Sequence, residues 1–253
     1  MILCSINSGS NGNCYYVGND KESVLIDAGI SCREIERRMT RARLEIDSVK
    51  AVFISHEHSD HTRGVEVLSR KHRIPVYLSS ATYIKSMLWL EQDLTRIFSP
   101  FEIIDIGGFR VNTFPKKHDG IDPHSFTVSH DGITVGVFTD IGSSCINLEH
   151  HFSQCHAVFL EANYDPLMLE KGRYPVHLKN RIRGEFGHLS NHDSLDLFMR
   201  KRSPDLRLLM LSHLSEENNH PGIVKGMFDE HAGSTRIEIA SRYSESAVFK
   251  IPD

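Results

Sequence analysis

Among the five cysteines of this 253-residue chain no CxxC pair occurs, and the number is odd. A disulfide scaffold is therefore not expected, and a reducing compartment is the simpler reading. The opening, MILCSINSGSNGN, lacks a basic segment followed by a long apolar stretch, so no secretory signal is read there. No apolar run approaches the roughly 18 residues of a membrane span. We therefore expect a cytoplasmic protein. Long linkers, repeats and low-complexity tracts are also missing. The net charge of −4 does not advertise a polyanionic partner, although a local basic patch offset elsewhere stays compatible with it.

What is abundant is histidine, with sixteen residues. It is the commonest metal ligand and the usual proton carrier near neutral pH. Short strand-like runs come early: 13–17, 23–27 and 51–55, with a hairpin turn at Gly18-Asn19-Asp20. Ser31 to Glu34 has capping-box spacing and predicts a helix to about Met39. A helix is expected from Thr62 to about Lys71, a strand at 76–78 and a helix at 81–90. Strands follow at 101–106, 109–114, 125–129 and 134–139. Later come helices near 145–153, 176–183, 192–201 and 223–230, alternating with strands at 157–160, 206–211 and 235–239. This order predicts one α/β domain, residues 1–253, on large mixed sheets. Periodicity does not say how the sheets are arranged.

Chemistry gathers where apolar runs end. AVFIS at 51–55 leads into His56, His58, Asp60 and His61. A two-residue spacing on extended backbone puts His56 and His58 on one side. Three imidazoles and a carboxylate suit zinc, manganese or iron. His118, Asp140 and His213 each stand just beyond the end of another apolar run. Singly, each would be an ordinary surface or hydrogen-bonded residue; together they describe one site on a sheet's rim.

Lys171, Arg173, Lys179, Arg181 and Arg183 form a basic stretch without an intervening acid. It is either a solvated helix face or a phosphate-neutralising surface. Met87, Leu88, Trp89 and Leu90 are expected in the core rather than on a partner surface.

HEHSDH at 56–61 resembles the HxHxDH signature of the metallo-β-lactamase superfamily. INSGSNGN at 6–13, VLIDAG at 24–29, EANYD at 161–165, GRYPVHLKNRIRGEFGHLSN at 172–191 and LSHLSEENN at 211–219 narrow the resemblance to the YycJ/WalJ-type exonuclease branch. These segments span nearly the whole chain. The resemblance implies a four-layer αβ/βα sandwich and a metal-dependent 5′-to-3′ exonuclease acting on DNA. It implies two divalent ions, zinc or manganese: His56, His58 and His118 on the first, Asp60, His61 and His213 on the second, Asp140 bridging. Asp27 would orient a ligating imidazole or simply end a strand. Asp60 would also hold the attacking hydroxide. His188 is a candidate to protonate the leaving oxygen or contact phosphate, or a mere neighbour of a helix cap at Ser190 or Asn191. Ser8, Ser10 and Asn11 would touch phosphate or shape their turn. Tyr164 stands where the branch carries histidine, Lys117 where many members are uncharged, and Ile141 where threonine is common. Tyr164 and Lys117 join the phosphate-contact candidates.

Rival readings are an RNA-processing nuclease or a small-ester or thioester hydrolase of the same superfamily. Another is a nucleic-acid-binding or regulatory module with a degenerate metal site. No feature here separates RNA from DNA. A homo-oligomer is compatible with base rates.

Overall fold

A computed structural model describes residues 1–252. The first half contributes strands β1 (Ile2–Asn7), β2 (Cys14–Gly18), β3 (Ser23–Ile26), β4 (Val49–Phe53), β5 (Val76–Ser79) and β6 (Thr95–Phe98). The second contributes β7 (Ile103–Ile106), β8 (Phe109–Pro115), β9 (His124–His130), β10 (Ile133–Phe138), β11 (Ala157–Glu161), β12 (Leu208–Ser212) and β13 (Arg236–Ile239). A last strand, β14 (Phe249–Lys250), returns to pair with β1. The helices are α1 (Cys32–Arg41), α2 (Ser59–Thr62), α3 (Val65–His72), α4 (Ser80–Ser86), α5 (Ile146–Phe152), α6 (Pro166–Lys171), α7 (Val176–Ile182), α8 (Asn191–Lys201) and α9 (Pro221–Asp229).

Two seven-stranded sheets result, ordered β14-β1-β2-β3-β4-β5-β6 and β13-β12-β11-β10-β9-β8-β7. Each half has the same plan. An antiparallel meander comes first, and its last strand starts a parallel run: β3 to β6 in one sheet, β10 to β13 in the other. Parallel strands need helical crossovers, and these cover the outer faces. One buried cluster joins the sheets face to face, with Tyr15, Phe53, Phe126 and Phe159 among its members. A second packs α1 and α3 on the first sheet, and a third packs α5, α8 and α9 on the second. This is a four-layer αβ/βα sandwich. In β11, Ala157 and Phe159 face the other sheet while Val158 and Leu160 face the helices, so both faces are apolar.

Parallel order also brings strand carboxyl ends to one rim, where α/β sheets place their ligands. Asp27 follows β3, His56 lies just past β4, Asp140 follows β10, Glu161 ends β11 and His213 follows β12.

Some expectations need correction. The helix expected at 62–71 is divided into α2 and α3. Gly64 marks the break: a Cβ there would lie 2.1 Å from the Ile30 carbonyl oxygen. The helix expected at 81–90 stops at Ser86, because Met87 adopts a left-handed conformation with φ 52°. Only Leu90 of the expected core group is buried. Leu88 is partly buried against the first sheet's outer cluster, while Met87 and Trp89 are 85% and 67% exposed. The turn at Met87 sends these two side chains outward.

Candidate metal centre

Four imidazoles are tethered in the same manner. His61 Nδ1 lies 2.7 Å from Asp27 Oδ2, His213 Nδ1 2.7 Å from Glu161 Oε1, His118 Nδ1 3.0 Å from the Gly187 carbonyl, and His56 Nδ1 2.9 Å from Ser55 Oγ. A neutral ring that donates from Nδ1 keeps its lone pair on Nε2. The Nε2 atoms are left as acceptors; those of His118 and His213 have no hydrogen-bond partner among the described residues.

Several of these atoms stand close to one another or without a partner. His56 Nε2 lies 3.0 Å from His58 Nδ1, and His61 Nε2 lies 3.1 Å from Asp140 Oδ2. His118 Nε2, His213 Nε2 and Asp140 Oδ2 are buried without a hydrogen-bond partner. Asp140 Oδ1 lies 3.7 Å from His118 Nε2, and Asp60 Oδ2 lies 3.6 Å from His61 Nε2 and 3.9 Å from His213 Nε2. The potential ligand atoms gather into the groups His56–His58–His118, His56–His61–Asp140 and Asp140–Glu161–His188–His213, with Asp60 near His61 and His213. Lone pairs converging from imidazole and carboxylate suit divalent transition metals.

The electrostatics agree. Burial raises the cost of charge on Asp140, but His213 and His61 outweigh it and hold the carboxyl well below its ordinary range. Burial also opposes charge on His61, yet Asp140, Asp27 and Asp60 raise it well above the usual imidazole value. His56 goes the other way, pushed down by burial, His61 and Lys116. Opposed shifts in one cluster are a mark of a functional site in which positive charge is favoured beside the carboxylates.

Backbone approach makes the cluster compact. Gly29 donates to the Asn13 carbonyl at 2.8 Å, and Asn13 donates from its own backbone to the Asp60 carbonyl at 2.7 Å. A Cβ on Gly29 would sit 1.7 Å from the Asp60 oxygen. Asn13 also places its amide nitrogen 3.1 Å from His61 Nε2. The Gly- and Ser-rich turn is thus a brace for the HEHSDH loop.

Several contributors escaped the sequence reading. Glu161 is fully buried; its Oε1 faces the Nδ1 atoms of His188 and His213, and its Oε2 accepts the backbone N–H groups of Ile141 and Leu189. It stood in the quoted EANYD segment, and an acid ending an apolar strand was the available signal. Lys116 is buried and donates to the Thr139 carbonyl at 2.7 Å. Asp119 lies 3.4 Å from His118 and accepts from Arg181 Nε at 2.6 Å.

The candidates for phosphate contact divide. Ser10, Arg181 and His188 line the open pocket of about 330 Å³ over the cluster, with Asp60, His118, Asp140 and His213. His188 Nδ1 lies 2.9 Å from Glu161 Oε1; burial opposes its charge, but Glu161 and Asp140 raise it above the usual value. Of the two cap candidates beside His188, Ser190 caps α8, accepting from Asp193 N at 3.1 Å. The remaining candidates are placed otherwise. Ser8 is buried between Tyr15 and the His213 N–H. Asn11 binds the Arg242 carbonyl. Lys117 pairs with Glu185 at 2.6 Å, Lys179 holds the Glu170 carbonyl, and Arg183 pairs with Glu170. Arg173 is exposed and lies outside the pocket lining, and Tyr164 is 6% exposed, its backbone bridged to Ser190. Apart from the exposed Arg173, these side chains spend their polar atoms, or are covered, within the fold itself. At Ile141 it is the backbone N–H that reaches Glu161, so a side-chain hydroxyl is not needed for that bond.

Fold and site together define a metal-dependent hydrolase. The chain belongs to the metallo-beta-lactamase superfamily, whose profile matches residues 8–152. It is 33% identical over 215 residues to the Exodeoxyribonuclease YycJ of Bacillus anthracis, covering 84% of this chain and 81% of that protein. It is 30% identical over 217 residues to the Exodeoxyribonuclease WalJ of Streptococcus pneumoniae serotype 2, with the same coverage of each. Among solved structures, the metallo-beta-lactamase fold protein YhfI from Bacillus subtilis superposes with a TM-score of 0.76 at 15% identity, over 99% of this chain and 100% of that one. That last likeness concerns the fold. Among the described residues no helix is long and apolar enough to cross a membrane.

Proposed function

We propose that this chain is a cytoplasmic DNA exonuclease that works in the 5′-to-3′ direction, acting as one domain over residues 1–253 with two zinc or manganese ions. The observation that carries the reading is the set of adjoining ligand clusters around Asp140, beneath an open pocket lined by Arg181. The named activity of the two curated relatives supports DNA as the substrate. Five free cysteines support a reducing compartment.

His56, His58 and His118 would hold one ion, Asp60, His61 and His213 the other, with Asp140 between. When bound, divalent cations supply Lewis acidity, easing deprotonation of water and offsetting charge on phosphoryl oxygens. The protein's own groups do the rest. Hydrolysis adds water across the P–O3′ bond: the attacking oxygen loses a proton and O3′ gains one. Asp60, in the pocket lining, takes the first. His188 is oriented by Glu161 through Nδ1, which leaves Nε2 to give the second. Asp27 and Glu161 fix the tautomers of His61 and His213. The Arg181 guanidinium, steadied by Asp119, meets a phosphoryl oxygen.

The test is metal-stripped protein reconstituted with manganese or zinc and given end-labelled duplex DNA, single-stranded DNA and RNA. The expected outcome is metal-dependent shortening of DNA from the 5′ end, lost when Asp60 and His61 are both alanine. Shortening of RNA alone would transfer the activity to RNA processing. Cleavage of none would overturn the nuclease reading.

A further inference from the structure

A second cavity, of about 270 Å³, adjoins the metal pocket and shares Ser10, Asp119, Arg181 and His188 with it. Its far wall has a different character. Leu178 and Ile182, four residues apart on α7, present one aliphatic face, and the half-buried phenol of Tyr174 stands beside them. Asn163 closes the back; its Nδ2 donates to the His213 carbonyl at 2.8 Å, which leaves Oδ1 as an acceptor. Thus an aromatic and aliphatic wall faces a polar amide, and a guanidinium stands on the boundary with the metal cluster. Of the Arg181 nitrogens only Nε is engaged, by Asp119, so the terminal nitrogens have no protein partner among the described residues.

This arrangement matches one ligand chemistry. A phosphate beside the metal cluster and Arg181 would extend into the second cavity whatever the phosphate carries. A flat ring with hydrogen-bonding edges suits Tyr174, Leu178 and Asn163, because stacking on aromatic side chains is how unpaired bases are held. The cavity lies near the lower bound of roughly 300 Å³ for small-ligand pockets, which suits one nucleoside and not a base pair. Resting on the nuclease reading above, we propose that this cavity is a subsite for the unpaired terminal nucleoside of the DNA strand, with Tyr174 as the stacking platform. The enzyme then engages a strand only after its last base is freed from its partner.

Two single strands are compared, one with an ordinary 5′-terminal nucleotide and one whose terminal residue lacks the base. Binding to metal-free protein is read by fluorescence anisotropy of a label at the 3′ end, and KM is read on the manganese-loaded enzyme. We expect the abasic strand to bind roughly tenfold more weakly, as loss of one stacking contact gives, with the same ratio in KM. Tyr174→Ala should bring the two strands to within about twofold of each other, and Tyr174→Phe, which keeps the ring, should restore the difference. Equal binding and equal KM in the wild type would overturn the subsite while leaving the nuclease standing. Failure to cleave either strand would overturn the nuclease reading, and the subsite with it.

Discussion

Glu161 Oε1 lies 2.7 Å from His213 Nδ1, and that carboxylate is wholly buried. Every polar atom approaching it is an N–H donor: two imidazoles on one oxygen, two backbone amides on the other. Glu161→Gln would turn an NH₂ toward donors. Metal affinity should fall about 10- to 100-fold, as loss of an orienting partner typically gives. Metal content after dialysis checks this; undiminished retention would show that Glu161 does not position His213.

Gly29→Ala tests the brace. Its Cβ would meet the backbone oxygen of Asp60, not a flexible side-chain tip, so the HEHSDH loop must move. Displacement of about 1 Å in a catalytic group costs on the order of 100-fold. We expect at least that loss of turnover, with the protein still folded by far-ultraviolet circular dichroism. Wild-type turnover would mean that the loop absorbs the extra carbon.

Metal removal should be felt in stability. Converging lone pairs oppose one another in the apo state, and a ligand at 100 times its Kd stabilises by about 2.7 kcal/mol. At roughly 2–4 °C per kcal/mol for a chain of this size, chelation should lower Tm by about 5 °C or more. His213→Ala should shrink that difference. A Tm indifferent to chelator would contradict ion binding at this cluster.

The acid limb of the stability curve has a separate contributor. Glu36, partly buried on α1, is drawn down from 4.5 to about 2 by hydrogen bonds from Lys71 and His72. Because its folded value is depressed, its stabilisation is complete above about pH 4.5 and is lost as pH falls toward 2. Glu36→Gln should therefore destabilise by about 0.5–1 kcal/mol near pH 6, screened as partly exposed pairs are. The gap to wild type should close on acidification in urea titrations. A gap that widened in acid would reverse the assignment.

Strand ends carried most of the legible signal. The HEHSDH segment, His118, Asp140 and His213 stood out because each polar ligand type followed an apolar run. The sheet order did not, because β11 and β12 are apolar on both faces and their pattern says only that they are buried. β1 and the polar edge strand β6 were passed over, as was α6. The basic stretch from Lys171 to Arg183 reads as either a solvated helix face or a phosphate-neutralising surface, and the structure divides it: Lys179 and Arg183 turn to Glu170 while Arg181 turns to the pocket. Composition gives charge and not direction. Trp89 misled for a similar reason, since hydrophobicity alone did not foresee the left-handed turn two residues before it.

Asp27, Asp140 and His213 share one backbone peculiarity: φ of 62°, 54° and 55°, each within two residues of the end of a parallel strand. Non-glycine residues enter that region with difficulty, and aspartate, asparagine and histidine are the ones that enter most readily. The chemistry and the chain path therefore draw on the same short alphabet. Valine, isoleucine or threonine at these three corners would lose a polar partner and also fight the bend. Loss of the chemistry by gradual drift is thus channelled through asparagine-like intermediates that keep the corner, and a descendant that abandoned hydrolysis would still carry the outline of the site in its backbone.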